Sequence, residues 1–317
     1  MQRYIIGYLL VFGFFFSCVG VNAQSLHIGI SEWNHYPENI KGFKAALHEA
    51  GFKEGKNVFF HQSSAKGNKA EQQNIASHFF NAKYDLIYSL TTPGTITLKE
   101  RIKEVPIVFS IVTYPTDAGI IESFDYSGNN LVGTSNFVPI QHYIDLTKEF
   151  FPKTKKVAII HRKGEPNSNI QAMNLRRQLA KLNIETIDLQ PSTLQEIRIL
   201  LTQAINDIDL IITTTDTLIQ NGGEEVIIEI AKQHQLPILS SNKQGIQKGA
   251  TLGPVVDFYA LGMASGELAV EILRNKTKPS ALSSSYIKKP SVMINRNSFL
   301  ALGLTLPTER SEIIYVE

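Results

Sequence analysis

Short apolar runs and helically spaced apolar positions alternate along almost the whole chain. Runs at 26–30, 58–62, 86–90 and 106–112 are rich in leucine, β-branched and aromatic residues, the pattern of strands covered on both faces. Between the first two, Ile40, Phe43, Leu47 and Ala50 recur at helical spacing until Gly51 stops the helix, and Ile75, Phe79 and Phe80 mark a helix over 69–80. The stretch from Tyr84 to Thr113 holds a strand, a polar turn, a short helix and a second strand, one βαβ unit. Its turn predicts Thr92 as an N-cap and Pro93 at the first helical position, where a missing N–H is harmless. An extended piece at 131–136 follows the turn-rich Tyr126-Ser127-Gly128-Asn129-Asn130.

A helix over 139–151 ends at Pro152, and a second series begins. Strands are predicted at 157–161, 185–189, 210–214 and 237–240, with helices at 169–182, 194–206 and 224–234 between them. Strict alternation calls for parallel sheets with right-handed crossovers and helices on both faces. The predicted fold class is therefore α/β, with two Rossmann-like, doubly wound lobes in tandem. The tail breaks the alternation: 251–256 is extended, 257–275 is a long helix and 286–295 is extended again, before 298–302. Gly262, Ala264, Ser265 and Gly266 give the long helix a small-residue face suited to close packing on a sheet. Chain left over after two lobes crosses back into the first and returns. The expected division is residues 24–135 plus 256–282 for lobe 1 and 136–255 plus 283–317 for lobe 2, joined by three hinge connections.

Composition sharpens this reading at the N-terminus. Arg3, an apolar stretch from Tyr4 to Phe16 and small residues at Val21-Asn22-Ala23 read as a signal peptide over 1–23, cleaved near Ala23, and hence as periplasmic export. Cys18, preceded by Phe-Phe-Ser, resembles a lipoprotein box, but Phe at the third position upstream is unusual there, so soluble export is preferred to a lipid anchor. Cys18 is the only cysteine, so the mature chain has none. Disulfides, cysteine nucleophiles and thiolate zinc sites are thereby excluded. Net charge is +2, from 31 Lys and Arg against 29 Asp and Glu, which provides no basic field for nucleic acid.

Polar residues gather where the strands end, the place where open α/β sheets bind ligands. Lobe 1 offers Ser31-Glu32-Trp33-Asn34, then Ser89 to Thr95, then Thr113-Tyr114-Pro115. Lobe 2 offers Lys163 to Asn169, Thr213 to Thr217 and Ser240-Ser241-Asn242. A single such loop is most often a helix cap, but six facing one cleft make a site. Asp216 among hydroxyls reads equally as a base, a contact for a ligand ammonium, or a cap for the next helix. Trp33, Tyr36, Tyr114, Phe137, Phe258 and Tyr259 are available to wall a pocket, although at least half of them are expected simply to pack between helix and sheet. The eight histidines are scattered, and H-E-x-x-H, G-x-S-x-G and the phosphate-binding glycine loops do not occur. Neither a catalytic apparatus nor a cofactor is expected.

Several phrases together resemble one family, the extracytoplasmic ABC-transporter substrate-binding proteins with a type I periplasmic-binding fold, in the branch that includes tryptophan-binding lipoproteins. They are TTPGTITLK with PIVFSIVTYPTDAGI, NNLVGTSN, EPNSN, TTTDTLI and GPVVDFYALGMASGELAVEIL, in family order between about Leu26 and Leu306. The resemblance implies capture of a small molecule, often an aromatic or branched amino acid, for delivery to an ABC permease with a cytoplasmic ATPase. An alternative use of the same lobes is to signal to a membrane histidine kinase or chemoreceptor. Carried onto this chain, the ligand contacts are Ser89, Thr91, Thr92, Thr113, Asn167, Ser168, Asp216, Thr217 and Asp257, beside Asn242, Trp33 and Tyr114. Where the family has S-D-E-G, this chain has Ser241-Asn242-Lys243-Gln244-Gly245. If an acid there binds an ammonium in relatives, the change weighs toward an anionic or neutral ligand.

Overall fold

The structure is a computed structural model that describes residues 25–308 and 311–317, so the expected signal peptide, Cys18 and the cleavage position lie outside the described residues. The first series runs β1 (Leu26–Glu32), α1 (Pro37–Glu49), β2 (Val58–Ser64), α2 (Lys69–Asn81), β3 (Leu86–Leu90), α3 (Thr92–Arg101), β4 (Ile107–Ser110) and β5 (Leu131–Ser135). The second runs α4 (Ile140–Phe150), β6 (Lys156–Ile160), α5 (Pro166–Ala180), β7 (Glu185–Leu189), α6 (Leu194–Ala204), β8 (Leu210–Thr213), α7 (Glu224–Gln233), β9 (Ile238–Leu239), α8 (Lys243–Lys248) and β10 (Leu252–Val255). The tail adds α9 (Phe258–Asn275), β11 (Ser285–Tyr286), β12 (Ser291–Asn295), α10 (Arg296–Ala301) and β13 (Ile313–Val316).

Two sheets result, with strand orders β11-β5-β4-β3-β1-β2 and β13-β12-β10-β9-β8-β6-β7. In the first, every neighbouring pair is parallel. Its central strands β3, β4 and β5 are buried at every residue, which explains their unbroken apolar runs. The second sheet is parallel except where β12 runs antiparallel to β10, a departure from the all-parallel expectation. Helices cover both faces of each sheet. In lobe 1, Ile40, Phe43 and Leu47 of α1 and Ala269 and Ile272 of α9 fill one face, while Ile75 and Phe79 of α2 and Leu98 of α3 fill the other. In lobe 2, Tyr143, Leu175 and Phe299 lie on one side, and Ile197, Ile227 and Ile246 on the other.

Two further sequence expectations change. The boundary at 282/283 assigned Ser285 and Tyr286 to lobe 2, but they pair with Thr134 and Ser135 in the first sheet. The crossovers therefore follow β5, β10 and β11. The small-residue face of α9 does touch the sheet, through Ser265, but its glycines meet a helix instead. A Cβ on Gly262 would lie 2.0 Å from the carbonyl oxygen of Asn39, and one on Gly42 of α1 would lie 2.1 Å from that of Tyr259. Only glycine lets these two helices approach so closely.

Candidate functional site

Loops from the carboxyl ends of both sheets face each other across a cleft, and the lobes touch directly. The Tyr36 hydroxyl donates to Gln220 Oε1 at 3.1 Å, and the hydroxyls of Thr113 and Thr215 lie 3.3 Å apart. A mouth of about 1020 Å³ opens between α2, α3 and the loop before α5, with Trp33, Pro93, Arg162 and Glu165 among its walls. A second, more enclosed cavity of about 330 Å³ is walled by the bridging residues Tyr36 and Thr215 together with Asn136, Asn221, Asn242 and Phe258. Tyr36 and Phe258 pack edge to face there, with ring centroids 6.0 Å apart.

The lobe 1 side is incompletely hydrogen-bonded. Thr91, not Thr92, is the N-cap of α3, and it adopts φ 72° and ψ 159°, a region that a β-branched residue rarely enters. Its side chain makes no capping hydrogen bond. The hydroxyls of Thr91 and Thr92, Trp33 Nε1 and Gln72 Oε1 are all buried without a hydrogen-bond partner. Three of these residues surround Gly94: a Cβ placed there would lie 3.7 Å from Thr91 Oγ1, 3.7 Å from Trp33 Cβ and 3.8 Å from Gln72 Oε1. Buried polar atoms normally find partners, so such a group points to something that completes it. Ser89 is different, because its hydroxyl is joined to Thr95 Oγ1 at 2.8 Å beneath α3.

The lobe 2 side is largely saturated. Asp216 accepts from the amides of Leu218 and Ile219 through Oδ1, and from the Arg162 amide and the Thr214 hydroxyl through Oδ2. It is the cap of the turn that follows β8. Thr217 gives its amide and hydroxyl to Glu165 and accepts from Arg162, and Ser168 turns back to the carbonyls of Arg162 and Glu165. Gln171 Oε1 receives both the amide and the hydroxyl of Thr215, fixing the residue that bridges to lobe 1. Asn167 donates to the Thr215 carbonyl, but its Oδ1 is buried and unpartnered.

Charge in the cleft is lopsided. Glu32, Glu165 and Asp216 are buried, and Arg162 lies 3.7 Å from Glu165. Burial, reinforced by the neighbouring Asp216, pushes the Glu165 carboxyl up to about 7. Burial and the charge of Glu165 push the Tyr36 phenol far above its ordinary value. Lys243, the basic substitution noted in the sequence, forms a 3.7 Å ion pair with Asp257 at the rim. Asp257 also caps α9 through the Ala260 amide, and Asn242 caps α8 through that of Gln244. Tyr114 is buried edge to face against Phe137, with ring centroids 5.4 Å apart.

The structure thus leaves Trp33, Thr91, Thr92 and Asn167 with hydrogen-bonding capacity to spare, sets Trp33 in the wall of the mouth, and brings Thr113 into direct interlobe contact with Thr215. It places Asn242 and Asp257 on the second cavity and turns Ser89, Ser168, Asp216 and Thr217 into the framework. Gln72, Gln171 and Gln220 were not anticipated, since they lie on helices or a helical turn and carry no strand-end signal. Glu165 was visible in its loop but was not singled out. Among the described residues no group of three or more histidine, cysteine or acidic side chains is arranged to hold a metal, and no helix is long and apolar enough to cross a membrane.

Two α/β lobes linked by three crossovers, with strand-end loops meeting in a cleft, define a type I periplasmic binding protein. The chain belongs to the ABC transporter substrate binding protein family, whose pattern matches residues 30–312. A tyrosine-binding protein of Clostridioides difficile is 31% identical over 281 residues, covering 88% of this chain and 81% of the relative. A Streptococcus pneumoniae domain solved in complex with L-Trp matches with TM-score 0.84 at 22% identity, over 90% of this chain and 96% of that one. A ligand-free, open substrate-binding protein with adhesive properties from Clostridium difficile matches with TM-score 0.72 at 28% identity, over 92% and 99%.

Proposed function

We propose that this protein is an exported solute-binding protein that captures an amino acid or related small organic acid, aromatic or branched, between its lobes. It closes on the ligand about the three crossovers and delivers it to an ABC permease powered by a cytoplasmic ATPase. The observation that carries this reading is the set of buried polar atoms left without partners where the lobes meet. Each unpaired atom disfavours an empty closed cleft by about 1–3 kcal/mol, so a ligand that pairs them draws the equilibrium toward closure.

Trp33, Thr91, Thr92, Thr113 and Asn167 serve as polar contacts, and Tyr36 and Phe258 wall the body of the ligand with Asn242 and Asp257 at the edge. The tyrosine and L-Trp in the names of the relatives support an aromatic ligand. Export rests on the N-terminal signal pattern, with cleavage near Ala23 and a periplasmic destination.

A thermal-shift screen of amino acids and related acids tests the reading. A ligand present at about one hundred times its Kd, and bound only by the folded chain, raises stability by about 2.7 kcal/mol. No shift across the screen would count decisively against an amino-acid carrier.

A further inference from the structure

Three buried carboxyls gather where the lobes meet, and they are not equally committed. Glu32 of lobe 1 accepts from Gln62 Nε2 at 2.5 Å and from the Tyr36 amide at 3.3 Å, with the exposed His35 ring 3.8 Å away. Asp216 has four donors, which favour its charged form. Glu165 is held by one residue: its Oε2 takes the Thr217 hydroxyl at 2.5 Å, and its Oε1 takes only the Thr217 amide at 3.1 Å. Arg162 stays 3.7 Å from Oε2 and gives an N–H to Thr217 Oγ1 instead. Burial pushes both Glu165 and Asp216 up, and of two neighbouring acids the less tightly held one takes the proton.

Lobe 1 decides how much water reaches that carboxyl. Glu165 belongs to the wall of the mouth yet is only 5% exposed, and α3 and α5 approach each other across the mouth. The nearest titratable group from lobe 1 is the Tyr36 phenol, on which the charges of Glu165, Asp216 and Glu32 all bear and whose hydroxyl is given to Gln220. Lys69 of α2, Glu100 and Arg101 of α3 and Lys163 of lobe 2 line the same mouth, but all four are exposed and screened by water. Closing therefore strips water from Glu165 without bringing it a buried cation, which favours the neutral acid; opening returns the water and the charge.

We infer that Glu165 takes up a proton at Oε1 as the lobes close and returns it to solvent as they open, so that acidity favours the closed, ligand-holding form. This adds a regulation to the solute-binding reading and rests on it. The sign follows from burial: the closed form binds the extra proton, so its advantage is present below about pH 7 and is lost as pH rises through that value.

Pulsed EPR on the mature protein tests the inference. From residue 24 onward the chain has no cysteine of its own, so spin labels on Lys103→Cys in lobe 1 and Lys181→Cys in lobe 2 report the interlobe distance alone. Without ligand, the ratio of the short, closed distance to the long, open one should fall about tenfold between pH 5.5 and pH 8.5. Glu165→Gln is neutral at both values and keeps an acceptor for Thr217, so its ratio should be the same at both. Identical wild-type distributions at the two pH values overturn the inference, as does a pH dependence that survives in Glu165→Gln; the wild-type comparison stands even if the variant fails to fold. A shift to the short distance driven by L-tyrosine or L-tryptophan but indifferent to pH overturns the inference and leaves the solute-binding reading intact. A single distance under every pH and with either amino acid overturns closure itself.

Discussion

The two sides of the cleft are built on opposite principles. Lobe 1 leaves Trp33, Gln72, Thr91 and Thr92 with unpaired atoms and holds Thr91 in a strained backbone conformation. Lobe 2 spends most of its polar groups on itself: Asp216 has four donors, Glu165 holds Thr217, and Gln171 holds Thr215. Unpaired atoms and local strain are tolerated in folded proteins where something else completes them. Lobe 1 is thus shaped to be finished by a ligand, and lobe 2 is a more nearly preassembled platform whose unpaired atoms are Asn167 Oδ1, His161 Nδ1 and Glu224 Oε2. Residue type alone does not separate the two, since both sides are dense in threonine.

The contrast can be broken most sharply at Asp216. Asp216→Ala orphans two helix-cap amides, the Arg162 amide and the Thr214 hydroxyl, and should destabilise the protein by about 3 kcal/mol. If lobe 2 is a framework, ligand affinity measured below the unfolding transition should change less than about threefold. A large loss of affinity with intact stability would instead make Asp216 a ligand contact.

A second test exploits pH. Glu224 is buried in lobe 2, accepting from the Thr213 hydroxyl, and burial pushes its carboxyl up to about 7, as it does for Glu165. A folded value above the ordinary carboxylate range means the stabilising share is complete at low pH and is lost as pH rises through about 7. Thermal unfolding should therefore shift downward between about pH 5.5 and pH 8.5. Glu224→Gln should flatten that slope and stabilise the protein at the upper end by on the order of 2 kcal/mol. A stability that climbs over this window would contradict the assignment.

The smallest expected change in stability probes lobe 1. Gly94→Ala places a methyl at ordinary contact distance from Thr91, Trp33 and Gln72. Within α3 the substitution should stabilise by about 0.5–1 kcal/mol, yet it fills the gap on which the unpaired atoms converge. Unfolding and calorimetry together should show a protein at least as stable with ligand affinity reduced at least about tenfold. Undiminished binding would mean that the gap around Gly94 is not where the ligand sits.

The alternation of apolar runs was enough to locate the strands and helices of both lobes, because buried parallel strands and amphipathic helices write opposite periodicities. Elements that obey neither period were not legible. The π-helical turn Ile219–Gly223 depends on the backbone of Asn221 and on Gly222 at φ 102°, α8 is only six residues long, and β13 lies after the alternation has ended. The strand-end loops of the site were legible as a set, but the division of labour within them was not. Whether Asp216 meets a ligand or caps a turn depends on four donors, two of which come from residues 162 and 214. Gln72 reaches the cleft from α2, its amide held by Ser31 across 41 residues of sequence, and no local pattern announces such a reach.

The crossovers that join the lobes also decide when each can be finished. Lobe 1 lacks α9 until residues 258–275 exist, and without that helix Gly42 loses its packing partner and that face of the sheet lacks Ala269, Ile272 and Leu273. Lobe 2 lacks β12, which pairs with β10, until residues 291–295 exist. Neither core is complete while the chain's last quarter is missing, and native contacts join residues far apart in sequence. A nascent chain of this topology reaches its full set of native contacts only when synthesis is nearly over.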